Sequence, residues 1–174
     1  DLSPVKIMLE PMSFTLGSHI AIMIAMFVSP LSALGVALGT TAGFYLAGFT
    51  LPVVLRALTH VVWAYAGALY LKKHPDLFQS PAKTFVFNLA VAIVHAVLEV
   101  IIVMPLYTGV MPLYTGYDAS QLFYLLFVLV GVGSVVHSTV DFVLSLAVWK
   151  AVTASAAIRA VAVIKHIGFS ESRK

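Results

Sequence analysis

The sequence contains no cysteine. That absence excludes disulfides, thiol nucleophiles and thiolate metal sites together. Charge is nearly as scarce, with Asp, Glu, Lys and Arg making up 10% of 174 residues, where a soluble domain carries about 25%. A soluble globule of this length cannot cover its surface with so little charge. The formal net charge of +3 is too small to point to nucleic acid. Also missing are a P-loop, a His-Glu-x-x-His zinc motif and a Gly-x-Ser-x-Gly nucleophile elbow. What fills the chain instead is apolar. Hydrophobic residues make up 61% of it, and mean hydropathy is +1.03. These values define an all-α integral membrane protein, since only helices and closed barrels satisfy their backbone in lipid.

Breakers and charges divide the chain into five apolar segments, near 18–28, 31–49, 52–71, 82–104 and 120–152. The first ends at Ser29-Pro30 and the fourth at Pro105, and Gly131-Val132-Gly133 is a candidate break in the fifth. Residues 1–17 read as an outer loop or lid, 18–152 as the helical bundle and 153–174 as a cytoplasmic basic tail. Lys72, Lys73 and Lys83 flank the third connection, and Lys150, Arg159, Lys165, Arg173 and Lys174 follow the fifth segment. The stretch 105–119 has neither Lys nor Arg. The positive-inside rule places the 72–83 loop and the C-terminus in the cytoplasm and 105–119 outside. Counting back puts residues 1–17 outside as well. The expected architecture is a bundle of about six transmembrane helices, five evident here and the first preceding Asp1, against a five-helix alternative.

Small residues recur at every fourth position, Ala21 and Ala25 on the first segment and Gly35, Gly39 and Gly43 on the second. That spacing lets helix backbones approach closely in lipid. It serves packing within the chain, which the reading favours, or a docking face for a partner membrane subunit. The string Met104-Pro-Leu-Tyr-Thr-Gly109 repeats as 111–116, a duplicated outer loop whose tyrosines sit at headgroup level or line a ligand lid.

Ionisable groups inside spans are costly and default to functional hypotheses. Arg56, His60 and Trp63 share one face of the third segment, at i, i+4 and i+7. His95 and Glu99 on the fourth segment, and His137 and Asp141 on the fifth, are each i, i+4 pairs. Counting at about 1.5 Å per residue brings Arg56 level with Glu99, and His60 with His95, in the outer half. His19 and Lys6 are positioned to close over the same cavity, with Trp63, Tyr65, Tyr107 and Tyr114 as aromatic walls. Such a pocket suits a small molecule. The bland alternatives are an Arg56–Glu99 structural ion pair and hydrogen-bonded packing histidines. No tight metal cluster is spaced along the chain, so no metal site is expected. A metal-dependent intramembrane hydrolase, or a small secondary transporter using the His, Glu and Asp pairs, remains the competing class. A non-catalytic assembly subunit is the third.

Four strings carry a family resemblance: residues 6–19 (KIMLEPMSFTLGSH), 25–30 (AMFVSP), 38–44 (LGTTAGF) and 55–60 (LRALTH). Over roughly residues 5–150 the chain resembles the substrate-binding S components of energy-coupling factor vitamin transporters, of the hydroxymethylpyrimidine, pyridoxine or niacin type. The resemblance implies a six-helix subunit in the bacterial cell membrane that captures a small vitamin from outside, under a loop between its first two helices. It implies partners too, a transmembrane coupling subunit and two ATPases. ATP is spent by those partners, so no cofactor is expected in this chain and it is not itself an enzyme. The substrate-binding set is then Lys6, His19, Arg56, His60, Trp63, His95, Glu99, Tyr107, His137 and Asp141. A carboxylate substrate would call on Arg56. The slight preference is for a neutral ring, because Glu99 at Arg56's depth competes for the guanidinium.

Overall fold

The computed structural model describes residues 6–9, 12–15, 17–108 and 114–168, with side chains from Gly17 onward. Strands β1 (Lys6–Leu9) and β2 (Met12–Thr15) pair antiparallel, Lys6 opposite Thr15 and Leu9 opposite Met12. They form a hairpin where the sequence reading placed a plain loop. Strands of four residues are too short for a period-two pattern to stand out.

The bundle follows. Helix α1 (Ile20–Val28) ends at Ser29, whose hydroxyl accepts the Ser32 N–H as α2 (Pro30–Leu46) begins. A serine cap followed by proline at the first helical position is a strong start signal. Helix α3 (Leu51–Lys73) ends on Lys72 and Lys73, cations suited to the negative end of its dipole. A short 3₁₀ turn (Leu77–Gln79) leads to α4 (Pro81–Tyr107), capped by Ser80. Helix α4 does not stop at Pro105, as expected, but runs two residues further. Its last turn is held by Thr108, whose N–H and hydroxyl both donate to the Met104 carbonyl.

The fifth segment is one span, Ala119–Val152. It comprises α5 (Ala119–Phe123), a π-helical stretch (Tyr124–Val132) and α6 (Gly133–Val152). The candidate break at Gly131-Val132-Gly133 is therefore not a break. It is where the wide π turns give way to α6. Asp118 caps the span in a capping box with Gln121. The Ser120 hydroxyl beside it, with the Gln121 N–H, holds the Asp118 carboxyl below its usual range.

Three described helices are long and apolar enough to cross a membrane: α3, α4 and Ala119–Val152. Their outer surfaces carry exposed Leu58, Val62, Phe85, Ile101, Phe123 and Val143, the inverse of a soluble protein. The chain is thus an α-helical membrane bundle, as its composition requires. Of the five expected segments, α1 has only nine residues and α2 seventeen. The first is short because the chain turns at Gly17, with φ +83°, directly before it.

An aromatic core joins the ends of α1, α4 and α6 to the 3₁₀ turn. The Phe27 ring lies 5.1 Å from Phe78, 6.0 Å from Phe142 and 5.7 Å from Trp149. After α7 (Ala156–Val161) the chain returns beneath the bundle. The N–H groups of Val163 and Ile164 donate to the carbonyls of Val28 and Phe27, at 2.9 and 3.1 Å. Two carbonyls orphaned at the end of α1 are satisfied in this way. Residues 162–164 of the expected tail therefore belong to the fold; Arg173 and Lys174 lie outside the described residues.

Gly67 on α3 lies against the Met26 side chain of α1. A Cβ there would lie 2.5 Å from the sulfur of fully buried Met26. Gly67→Ala is expected to destabilise the protein by about 1 kcal/mol, because overpacking against the buried Met26 side chain outweighs the helix propensity that alanine adds. Met26→Ala costs stability of its own, so the contact is read from a cycle: Gly67→Ala should cost less in the Met26→Ala background than in the wild type. A thermal melt of the detergent-purified variants reads both, and an unchanged Gly67→Ala melt would show that the two helices separate freely there.

Candidate functional site

The half of the bundle opposite the basic ends holds a buried polar cluster. Glu99 on α4 is 2% exposed. Arg56 on α3 grips it with two prongs, Nε to Oε1 at 2.9 Å and Nη2 to Oε2 at 3.2 Å. The Ser134 hydroxyl on α6 donates to the same Oε2. His95, one turn before Glu99, brings Nε2 to 3.3 Å from Oε1, out of line for a hydrogen bond. The spacing had left open whether Arg56 and Glu99 bind a ligand or each other. They bind each other.

Asp141 on α6 anchors the second half of the site. Its Oδ1 accepts the Gly17 N–H at 2.8 Å, and its Oδ2 accepts the His19 N–H at 3.0 Å. His19 Nδ1 lies 3.0 Å from that same Oδ2. Helix α1 has no side-chain cap of its own at His19, so Asp141 caps it from across the bundle. A carboxylate at a helix N-terminus is well placed, because amide N–H groups and the dipole both favour negative charge there. His137 Nε2 sits 3.4 Å from Asp141 Oδ2 and 3.0 Å from the Ser18 hydroxyl.

Between the two anchors the rings converge. His19 lies 4.8 Å from both His60 and His95 and 5.0 Å from His137, centroid to centroid and edge-on. His60 and His95 are 5.1 Å apart, and Trp63 lies 5.4 Å from His95. Edge-to-face contact at such distances is favourable packing. Yet both nitrogens of His60, both of His95 and the Trp63 indole N–H have no hydrogen-bond partner among the described residues. Buried polar atoms are rarely left so.

Eight of the ten expected binding residues are thus brought together: His19, Arg56, His60, Trp63, His95, Glu99, His137 and Asp141. His19 stands at the centre of the cluster, not at its rim. Tyr107 lies outside the ring cluster, on its Arg56 side. It stacks on Tyr114 at 4.7 Å, within a separate apolar cluster of Val103, Leu106, Leu125, Leu126 and Val130. Tyr65 is exposed on the outer surface of α3. Lys6 begins β1, and its side chain lies outside the described residues, as do residues 109–113 of the duplicated loop.

The small-residue faces also separate. Ala25 is buried inside the bundle and Ala21 is exposed, so they do not form one docking face. Gly35, Gly39 and Gly43 all face outward, and a Cβ on any of them would meet nothing within 4 Å. Among the described residues these glycines therefore pack against no other helix, contrary to the favoured reading of packing within this chain. Their row looks away from α1 and α3.

Sequence reasoning missed Ser134 and Ser138, both fully buried, the latter's hydroxyl without a partner among the described residues. Ser134, Ser138, Asp141 and Ser145 fall at i, i+4, i+7 and i+11, a polar stripe on one face of α6. That stripe was a readable signal. Also missed was a groove of about 970 Å³ between α3 and α4, lined by Gly67, Tyr70, Phe87 and Val91 and rimmed by Lys73 and Lys83. It opens on the side of the bundle, toward the basic ends.

A membrane helix bundle with a buried, donor-rich cluster in one half fits the small-molecule pocket expected from the sequence. The chain is 40% identical over 146 residues to the niacin transporter NiaX of Lactococcus lactis subsp. cremoris (strain MG1363). That likeness covers 83% of this chain and 64% of the transporter, so the chain spans under two thirds of its relative's length. No protein-family profile and no solved structure matches the chain. The chain is thus similar to a niacin transporter over most of its own length, which agrees with the expected resemblance to vitamin-transporter S components.

Proposed function

We propose that this chain is the substrate-capturing subunit of a vitamin importer, with niacin as its substrate, and that it is not an enzyme. The observation that carries the reading is the set of unpartnered buried nitrogens on His60, His95 and Trp63, set in a chain similar to a niacin transporter. A pyridine carboxylate offers acceptors on both its ring and its acid group, matching donors that have none. The preference for a neutral ring gives way here. Because Arg56 already holds Glu99, the carboxylate is received by the imidazoles and the Trp63 N–H, and Arg56 fixes the floor beneath them. The hairpin β1–β2, joined to α1 at Gly17, is the lid.

ATP is hydrolysed by two partner ATPases acting through a transmembrane coupling subunit, and this chain carries no nucleotide. The outward row of Gly35, Gly39 and Gly43 supports α2 as the coupling face, since small residues permit close helix contact in lipid. The basic ends of α3 and α6 face the cytoplasm, together with the C-terminus, by the distribution of Lys and Arg.

Niacin is expected to raise the melting temperature of the detergent-purified protein. At a concentration 100 times its Kd, a ligand binding only the folded state adds about 2.7 kcal/mol. Pyridoxine and hydroxymethylpyrimidine at the same concentration should shift it less. No shift from any of the three sinks the vitamin reading.

A further inference from the structure

His19, His60 and His95 each point one ring nitrogen into a common volume, the three atoms all lying within 4.8 Å of one another. His95 is 0% exposed and His60 6%; both His60 nitrogens and His95 Nδ1 have no partner among the described residues, and His95 Nε2 lies 3.3 Å from Glu99 Oε1. A buried polar group left unpaired costs about 1–3 kcal/mol. We propose that these three histidines hold a divalent transition-metal cation, zinc being the best chemical match. The site stands whether or not niacin is the substrate.

Size is the first argument. Rings in edge contact at 4.8–5.1 Å leave space between them for an ion, not for another ring. Zinc binds imidazole nitrogen at about 2.0–2.1 Å with tetrahedral geometry, so its ligand nitrogens sit about 3.3–3.4 Å apart. Small rotations of three rings close that difference. Three protein nitrogens leave a fourth position open.

Orientation is the second. His19 turns Nδ1 to Asp141, which leaves Nε2 for a metal. A carboxylate on the far nitrogen fixes the tautomer and makes the ring a better ligand, the arrangement that metal-bound histidines usually have. Asp141 is thus the outer partner of the site. His137 and Asp141 also form a second possible group with His19, but the Asp141 oxygens already accept three bonds. The three-histidine set is the one with vacant ligand atoms.

Charge is the third. Among the described side chains the cluster holds one cation, Arg56, against two carboxylates, Glu99 and Asp141. With neutral imidazoles, which metal binding requires, the sum is minus one. A divalent cation reverses that to plus one. An all-nitrogen, sulfur-free donor set suits zinc, nickel, copper or cobalt, and does not suit magnesium or calcium.

The test uses the full chain, purified in detergent, stripped with a chelator and titrated with Co²⁺ or Zn²⁺ alone. One equivalent of Co²⁺ should give the visible absorption of tetrahedral coordination. His60→Gln and His95→Gln should each weaken Zn²⁺ binding at least about tenfold, and Asp141→Asn by about 10–100-fold. His74→Gln, at the exposed end of α3, should change nothing. A folded wild-type protein without the Co²⁺ spectrum overturns the site, and so does equal Zn²⁺ affinity in wild type and both histidine variants. Niacin is titrated separately into the metal-free protein. Niacin binding without metal uptake overturns the metal site and leaves the transport reading standing. Metal uptake without niacin binding, with or without the ion, does the reverse.

Discussion

Arg56→Ala is expected to destabilise the protein by about 3–5 kcal/mol, the cost of breaking a buried ion pair from one side. The loss arises at Glu99, not at arginine. Its carboxylate is 2% exposed and accepts two bonds from the guanidinium. Alanine leaves that charge in the bundle with the Ser134 hydroxyl as its remaining hydrogen-bond donor among the described side chains. Removing both charges is a different experiment. An Arg56→Met, Glu99→Leu double variant should recover most of the melting temperature, because replacing a buried pair with apolar residues is often neutral or stabilising. Arg56→Ala that melts like wild type would show that the pair is not a structural element of the floor.

Asp141→Ala should be comparably damaging. Three donors converge on this carboxylate: the Gly17 and His19 amides and the His19 ring. Hydrogen bonds to a charged group contribute about 1.5–3 kcal/mol each. Because the three share one residue, the expected total is about 3 kcal/mol or more, not their sum. Asp141→Asn retains a carbonyl acceptor and should fall between wild type and alanine. Hydrogen exchange locates the effect, since the amides of Gly17 and His19 should lose protection while those of α4 keep theirs. Equal protection in the alanine variant would remove Asp141 as the cap of α1.

Much of this geometry was legible in the sequence, because membrane helices are constrained by so few rules. Charge in lipid must be paired, and i, i+4 spacing fixes which face it occupies. Arg56 with Glu99, and His137 with Asp141, could therefore be placed before any coordinates. Depth counting brought His60 level with His95, and the structure sets the two rings edge to face. His19 was harder. Its central position depends on a turn at Gly17 and on a carboxylate 122 residues away in the chain, and helical periodicity carries neither. Aromatic character alone does not say which cluster a ring joins, so the stacking of Tyr107 on Tyr114 was not legible. Pro105 misled because a proline in the last turn costs α4 one bond and does not end it. The outward row of glycines was read inward because spacing defines a face without saying what lies opposite.

The helices themselves are unequal. Helix α2, with 17 residues, is about 25 Å long, whereas α4, with 27, is about 40 Å. The hydrocarbon core of a bilayer is about 30 Å thick. Lipid around this protein therefore cannot be level, being drawn thin beside α2 and kept full or thickened beside α4 unless the longer helix tilts. The elastic cost of that slope falls on the side where Gly35, Gly39 and Gly43 face outward. A neighbouring membrane helix laid along those glycines would replace stretched lipid with protein, so the bilayer itself contributes to holding the two together.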